Sequence, residues 1–132
     1  MDAETKSRVR NHAANRCEYC RIHQQHYIIT FHVEHIVAQQ HHGGNDESNL
    51  ALAYHFCNRH KGPNHAGMDS TTGELTRLFN PRTDSWNQHF RTQDGRVIGL
   101  TPVGRTTVYV LNMNRPDRVR IRIELEPETF LG

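Results

Sequence analysis

Apolar and polar positions change period several times along the chain, and each change marks an element. Residues 3–15, "AETKSRVRNHAAN", have helix-favouring composition and no breaker, and Val9 and Ala13, four apart, share a face. That pattern predicts a helix leading straight into Cys17. From Tyr27 to Val37 the chain becomes β-branched and aromatic, "YIITFHVEHIV", which predicts a strand ending near His35 with a turn back. "HHGGNDESN" is turn chemistry throughout. Leu50, Ala51, Ala53 and Tyr54 form an apolar cluster, read as a loop or knuckle over 49–56. A short helix carrying Cys57 to Lys61 follows, stopped by Gly62-Pro63.

Beyond Pro63 the pattern predicts a loop to about Thr72 and then extended segments. Leu75, Leu78, Phe79, Trp86 and Phe90 are the core candidates there. Asp94-Gly95 is a strong hairpin signal. Thr101 as cap and Pro102 at the first helical position predict a helix over "TPVGRTTVYVLNMN". The tail "RVRIRIEL" alternates strictly, which favours a strand with Arg118, Arg120 and Arg122 on one face, although Asn114 is also a good helix cap. No repeat, low-complexity stretch or long linker interrupts the chain, so residues 1–132 are read as one domain.

Composition narrows the classes. Hydrophobic residues make up 35% of the chain and mean hydropathy is −0.79, polar for a folded domain. A metal would help stabilise so thin a core. No apolar run approaches the roughly 18 residues that span a bilayer, and no signal-peptide pattern is present, so the expectation is a cytoplasmic protein without a membrane partner. Formal net charge is only +2. Lys6 and Lys61 are the only lysines, and the other basic residues are arginine. Arginine favours bidentate phosphate contacts, though genomic base composition enriches it as well.

Three cysteines, an odd number, argue against a disulfide framework. Cys17-x2-Cys20 has the spacing that lets two sulfurs share one tetrahedral zinc, and Cys57 could close the site across the hairpin. His60, three residues after Cys57, completes a C-x2-C…C-x2-H pattern, with His55 and His32 as alternatives for the fourth ligand. A thioredoxin-like redox pair would instead expect a strand ahead of Cys17, where a helix is predicted.

"HVEHI" pairs an acid with an imidazole. If the strand ends at His35, Glu34 and His35 can both point into one site. A carboxylate suits a hard cation such as Mg²⁺, and an imidazole with a pKa of about 6.5 suits proton abstraction. Asn49 and Asn58 follow downstream. Together, "RCEYC" and "VEHIVAQQHHGG…SNLALAYHFCNRHKG" resemble the HNH endonuclease family over residues 17–62, with 63–132 as a C-terminal α/β extension.

The resemblance implies an α+β protein: a ββα-metal core, in which a hairpin and a helix hold one divalent cation, behind an N-terminal helix. It implies DNA as substrate, with RNA not excluded. His35 matches the histidine that activates water. Glu34 matches the neighbouring metal-binding acid, usually aspartate. Asn49 matches the middle asparagine, which holds the loop and orients the histidine. Asn58 matches the last motif letter, a second ligand to the catalytic Mg²⁺ or other divalent cation. Arg59 and Lys61 would lie near phosphate. Zinc-bearing relatives have a second Cys-x2-Cys whose first cysteine falls at Tyr54 here.

Overall fold

The computed structural model describes residues 1–125. Two compact units make up the chain, Met1–His65 and the chain from Ala66 onward, and their boundary falls just past the Gly62 edge drawn from the sequence between motif core and extension. Helices and small antiparallel sheets give the α+β class that the sequence predicts.

In the first unit, helix α1 (Ala3–His12) starts at Asp2, whose side chain accepts from the Thr5 amide. It buries Val9, with Ala13 behind it. Ala14 and Asn15 then take positive φ, 53° and 58°, and turn the chain into the Cys17–Cys20 segment. Strand β1 (His32–His35) pairs antiparallel with β2 (Leu50–Ala53), Glu34 opposite Ala51 and His35 opposite Leu50. Helix α2 (His55–Lys61) follows, so the order is strand, strand, helix. Gly62, at φ 52°, ends α2 where Gly62-Pro63 was expected to stop it.

β2 corrects the sequence reading of a loop over 49–56. All four of its residues are buried, so "LALA" shows no inside–outside alternation. Its outer edge is closed by Glu18: the Glu18 amide donates to Leu52 O at 2.9 Å, and the Leu52 amide donates to Glu18 Oε2 at 2.8 Å. His32, one of the alternatives for the fourth zinc ligand, is exposed.

In the second unit, β3 (Ala66–Met68), within the stretch the sequence reading gave as a loop to Thr72, pairs antiparallel with β4 (Leu75–Arg77), which falls in the predicted extended segments. Of the expected core residues, Leu78, Phe79, Trp86 and Phe90 are buried, but Leu75 is exposed. A short helix α3 (Trp86–His89) precedes the hairpin of β5 (Phe90–Gln93) and β6 (Arg96–Gly99). Asp94 and Gly95 make its two-residue turn at φ 52° and 78°, the left-handed pair that such turns require. Helix α4 (Pro102–Val110) has Thr101 as cap, its hydroxyl accepting from the Gly104 amide.

The tail is helix α5 (Pro116–Leu125), not a strand. Arg118 and Arg122, four apart, share the buried face. Arg118 Nη2 donates to the carbonyls of Leu111 (3.0 Å) and Asn112 (2.8 Å), and Arg122 Nη1 donates to Gly95 O at 3.1 Å. These partners offset part of the cost of burying the two guanidiniums. Arg120 is exposed on another face, so the three arginines form no common basic strip. Asn114 caps no helix. Its Oδ1 accepts from the Val97 amide (2.8 Å) and its Nδ2 donates to Val97 O (2.9 Å), so it mimics a neighbouring strand along β6.

Candidate active site and thiol cluster

Cys17 and Cys20 lie on a tight turn that the backbone fixes. The Cys17 amide donates to Ile22 O, the Arg21 amide donates to Cys17 O, and Arg21 takes φ 69°. The Cys20 amide points at Cys17 Sγ, 3.5 Å away. Cys57 reaches the same point from the first turns of α2. All three thiols are fully buried, and their sulfurs lie within 4.8 Å of one another. Tetrahedral zinc with bonds of about 2.3 Å needs sulfurs about 3.8 Å apart, so the cluster fits that ion. Burial and the neighbouring thiols push the Cys17 pKa up to about 12, and burial raises that of Cys57 too. Thiols so crowded favour ionisation only beside a cation. His60 and His55 are exposed on α2, and neither belongs to this mutually close set. Tyr54, at the position of the relatives' further cysteine, is buried in an aromatic cluster instead. Its ring stacks on Tyr27 with centroids 4.2 Å apart and tilts against Phe31.

Glu34 and His35 are the last two residues of β1. Both are half-buried. The chain then leaves the sheet under the control of Asn49. Its Oδ1 accepts from the Val37 amide (2.8 Å), and its Nδ2 donates to Val37 O (3.0 Å) and Gly44 O (2.8 Å). Its backbone carbonyl accepts from the Ile36 amide at 2.8 Å. One asparagine thus pins both the exit from β1 and the glycine turn. That turn passes so near that a Cβ on Gly43 would sit 1.8 Å from Val37 O. No side chain but hydrogen fits there.

The hydrogen bond to the catalytic candidate's ring comes from a residue that the sequence reading treated only as turn chemistry. His35 Nε2 lies 2.7 Å from Asn45 Oδ1. Asparagine is so common in turns that composition alone does not single Asn45 out.

α2 brings the remaining candidates alongside. Lys61 is 3% exposed, and its Nζ donates to Ile36 O at 2.7 Å. Burial holds its pKa below the usual lysine value, with the Glu34 carboxylate opposing that shift. The expectation that Lys61 contacts phosphate is therefore corrected: its ammonium is turned inward and ties α2 to the end of β1. Asn58, one turn earlier and half-buried, lies on the same helix face. Arg59 is exposed. The donor set of Glu34 and Asn58, a carboxylate and an amide, suits a hard divalent cation. Among the described residues, no helix is long and apolar enough to cross a membrane.

Residues 17–64 match the model of the family described as HNH endonuclease. Neither the curated proteins nor the solved structures include a match to the chain. The matched stretch holds the thiol cluster, β1, the Asn49-pinned loop, β2 and α2, and it ends at the edge of the first unit. The match, over residues 17–64, points to a nuclease or nucleic-acid-related function for that segment.

Proposed function

We propose that the chain is a metal-dependent endonuclease that hydrolyses DNA phosphodiester bonds. The observation that carries the reading is the end of β1: Glu34 and His35 are its last two residues, inside the family-matched segment, and the His35 ring is held through Nε2. His35 is the general base. Its Nδ1 takes the proton from water as the water oxygen attacks phosphorus and the bond to the leaving oxygen breaks. Glu34 and Asn58 hold the divalent cation, Mg²⁺ in the simplest case. When bound, that ion supplies charge neutralisation at the scissile phosphate and the departing oxygen.

Asn49 keeps the loop after His35 from drifting, through three side-chain hydrogen bonds to the backbone. Arg59, exposed beside Asn58, faces the phosphate backbone. Cys17, Cys20 and Cys57 bind a structural zinc that joins the N-terminal turn to α2, with the fourth position filled by His60 in a loaded site or by solvent.

Cleavage of supercoiled plasmid with Mg²⁺ or Mn²⁺ tests the reading, with RNA run in parallel. His35→Ala is expected to lose at least a hundredfold in rate, the usual worth of a positioned base. Equal activity in the two proteins removes His35 as the base. Retardation of DNA without cleavage under any divalent metal favours a zinc-stabilised nucleic-acid-binding module instead.

A further inference from the structure

The geometry points to Asn45 as the positioning residue for His35: its side-chain carbonyl selects the imidazole tautomer with hydrogen on Nε2 and so leaves Nδ1 bare. The catalytic half of this inference rests on the nuclease reading above, but the structural half does not.

A neutral imidazole carries one hydrogen, and the partner on one nitrogen decides what the other can do. Asn45 Oδ1 lies 2.7 Å from His35 Nε2, and a carbonyl oxygen only accepts. The hydrogen therefore sits on Nε2, and Nδ1 keeps its lone pair for a proton from water. An exposed asparagine in an unrestrained turn would hold a ring poorly, and Asn45 is exposed. Its backbone is nonetheless fixed on both sides. Asn49 Nδ2 donates to Gly44 O at 2.8 Å, just before Asn45. Just after it, Asp46 O accepts from the Asn49 amide at 2.8 Å. Gly43 allows this turn to lie directly against Val37 O.

The two asparagines thus divide one task. Asn49 fixes the loop through side-chain hydrogen bonds to backbone, while Asn45 carries that fixation to the ring. Glu34, next to His35 in sequence, is left for the cation.

The test compares wild type with Asn45→Ala and Asn45→Asp. ¹⁵N spectra of the histidine side chains are recorded on zinc-loaded protein, at a pH well above the ordinary imidazole range. Wild type is expected to show His35 bare at Nδ1 and hydrogen-bearing at Nε2. Asn45→Ala is expected to give mixed tautomers, and Asn45→Asp, an obligate acceptor, to restore the single form. In plasmid cleavage, Asn45→Ala is expected to lower kcat roughly five- to tenfold with little change in KM, the worth of one exposed hydrogen bond. Asn45→Asp should recover most of that loss. Unchanged His35 signals in Asn45→Ala overturn the proposal, as does an Asn45→Asp protein as impaired as Asn45→Ala. A wild type inactive on every nucleic acid sinks the nuclease reading instead, and the nitrogen spectra then still decide what Asn45 does to the ring.

Discussion

Replacing Asn49 by aspartate changes one NH₂ group to an oxygen and almost nothing in shape, yet it should damage the first unit as much as replacing it by alanine. The amide makes three side-chain hydrogen bonds to backbone, one accepting and two donating. Each is worth about 1 kcal/mol net. Alanine loses all three, so Asn49→Ala should cost roughly 2–3 kcal/mol. Asn49→Asp keeps the acceptor for the Val37 amide. It also places a second carboxylate oxygen where Nδ2 stood, 3.0 Å from Val37 O and 2.8 Å from Gly44 O. Two attractions become repulsions between oxygens, so the total cost should equal or exceed that of alanine. The assay is native-state amide exchange at Val37, whose protection should fall in both variants by about 2–3 kcal/mol. Trp86 lies in the second unit, so its fluorescence is the control and not the probe. An Asn49→Asp protein with wild-type protection at Val37 near neutral pH would refute the assignment of Nδ2 as a double donor.

Two further outcomes follow from the thiol cluster and from a buried ion pair. Removing zinc with a strong chelator, or by Cys57→Ser, should unfold the first unit, because structural zinc contributes about 10 kcal/mol or more in small domains. Elemental analysis should show bound zinc falling from about one per chain to none, while Trp86 emission stays near its native value. Asp69 is fully buried, and its carboxylate accepts from Arg105 Nε (3.1 Å) and Nη2 (2.9 Å); that contact first, then Thr71 and Thr72, depresses its pKa to about 2. A depressed carboxylate contributes stability above its unfolded value of 3.8, and that contribution is lost as pH falls toward the folded value of about 2. Thermal melts of the second unit should therefore drop across that window, and Asp69→Asn should melt lower at neutral pH but with a flatter acid limb.

Local chemistry made much of this architecture legible. The Asp94-Gly95 turn and the Thr101-Pro102 helix start each depend on a few adjacent residues, and the structure has both. β2 and β3 were not legible, whereas β4 falls in the extended stretch predicted after Thr72. β2 is buried at every position, and β3 has three residues, too short to display a period. α5 misled because its alternation is real but its burial is decided elsewhere. Carbonyls of Leu111, Asn112 and Gly95 accept from Arg118 and Arg122, and nothing near 118–125 announces those partners. In the site, cysteine spacing and the Glu34–His35 pair were visible in the chain. Lys61 was misassigned because a lysine in a basic helix end looks solvent-facing until Ile36 O is found beneath it. Asn45 was hidden by its own ordinariness.

Asn114 has a consequence outside the site. A two-stranded ribbon leaves both outer edges with unsatisfied N–H and C=O groups, ready to template a strand from another molecule. Val97 faces Thr92 across the hairpin, and the Asn114 amide occupies both Val97 backbone groups. A passing strand meets a side chain already speaking in backbone terms, and at the middle of β6 it finds nothing to bind. One asparagine thereby serves as a guard against edge-to-edge aggregation in a chain whose sheets, among the described residues, have two strands each.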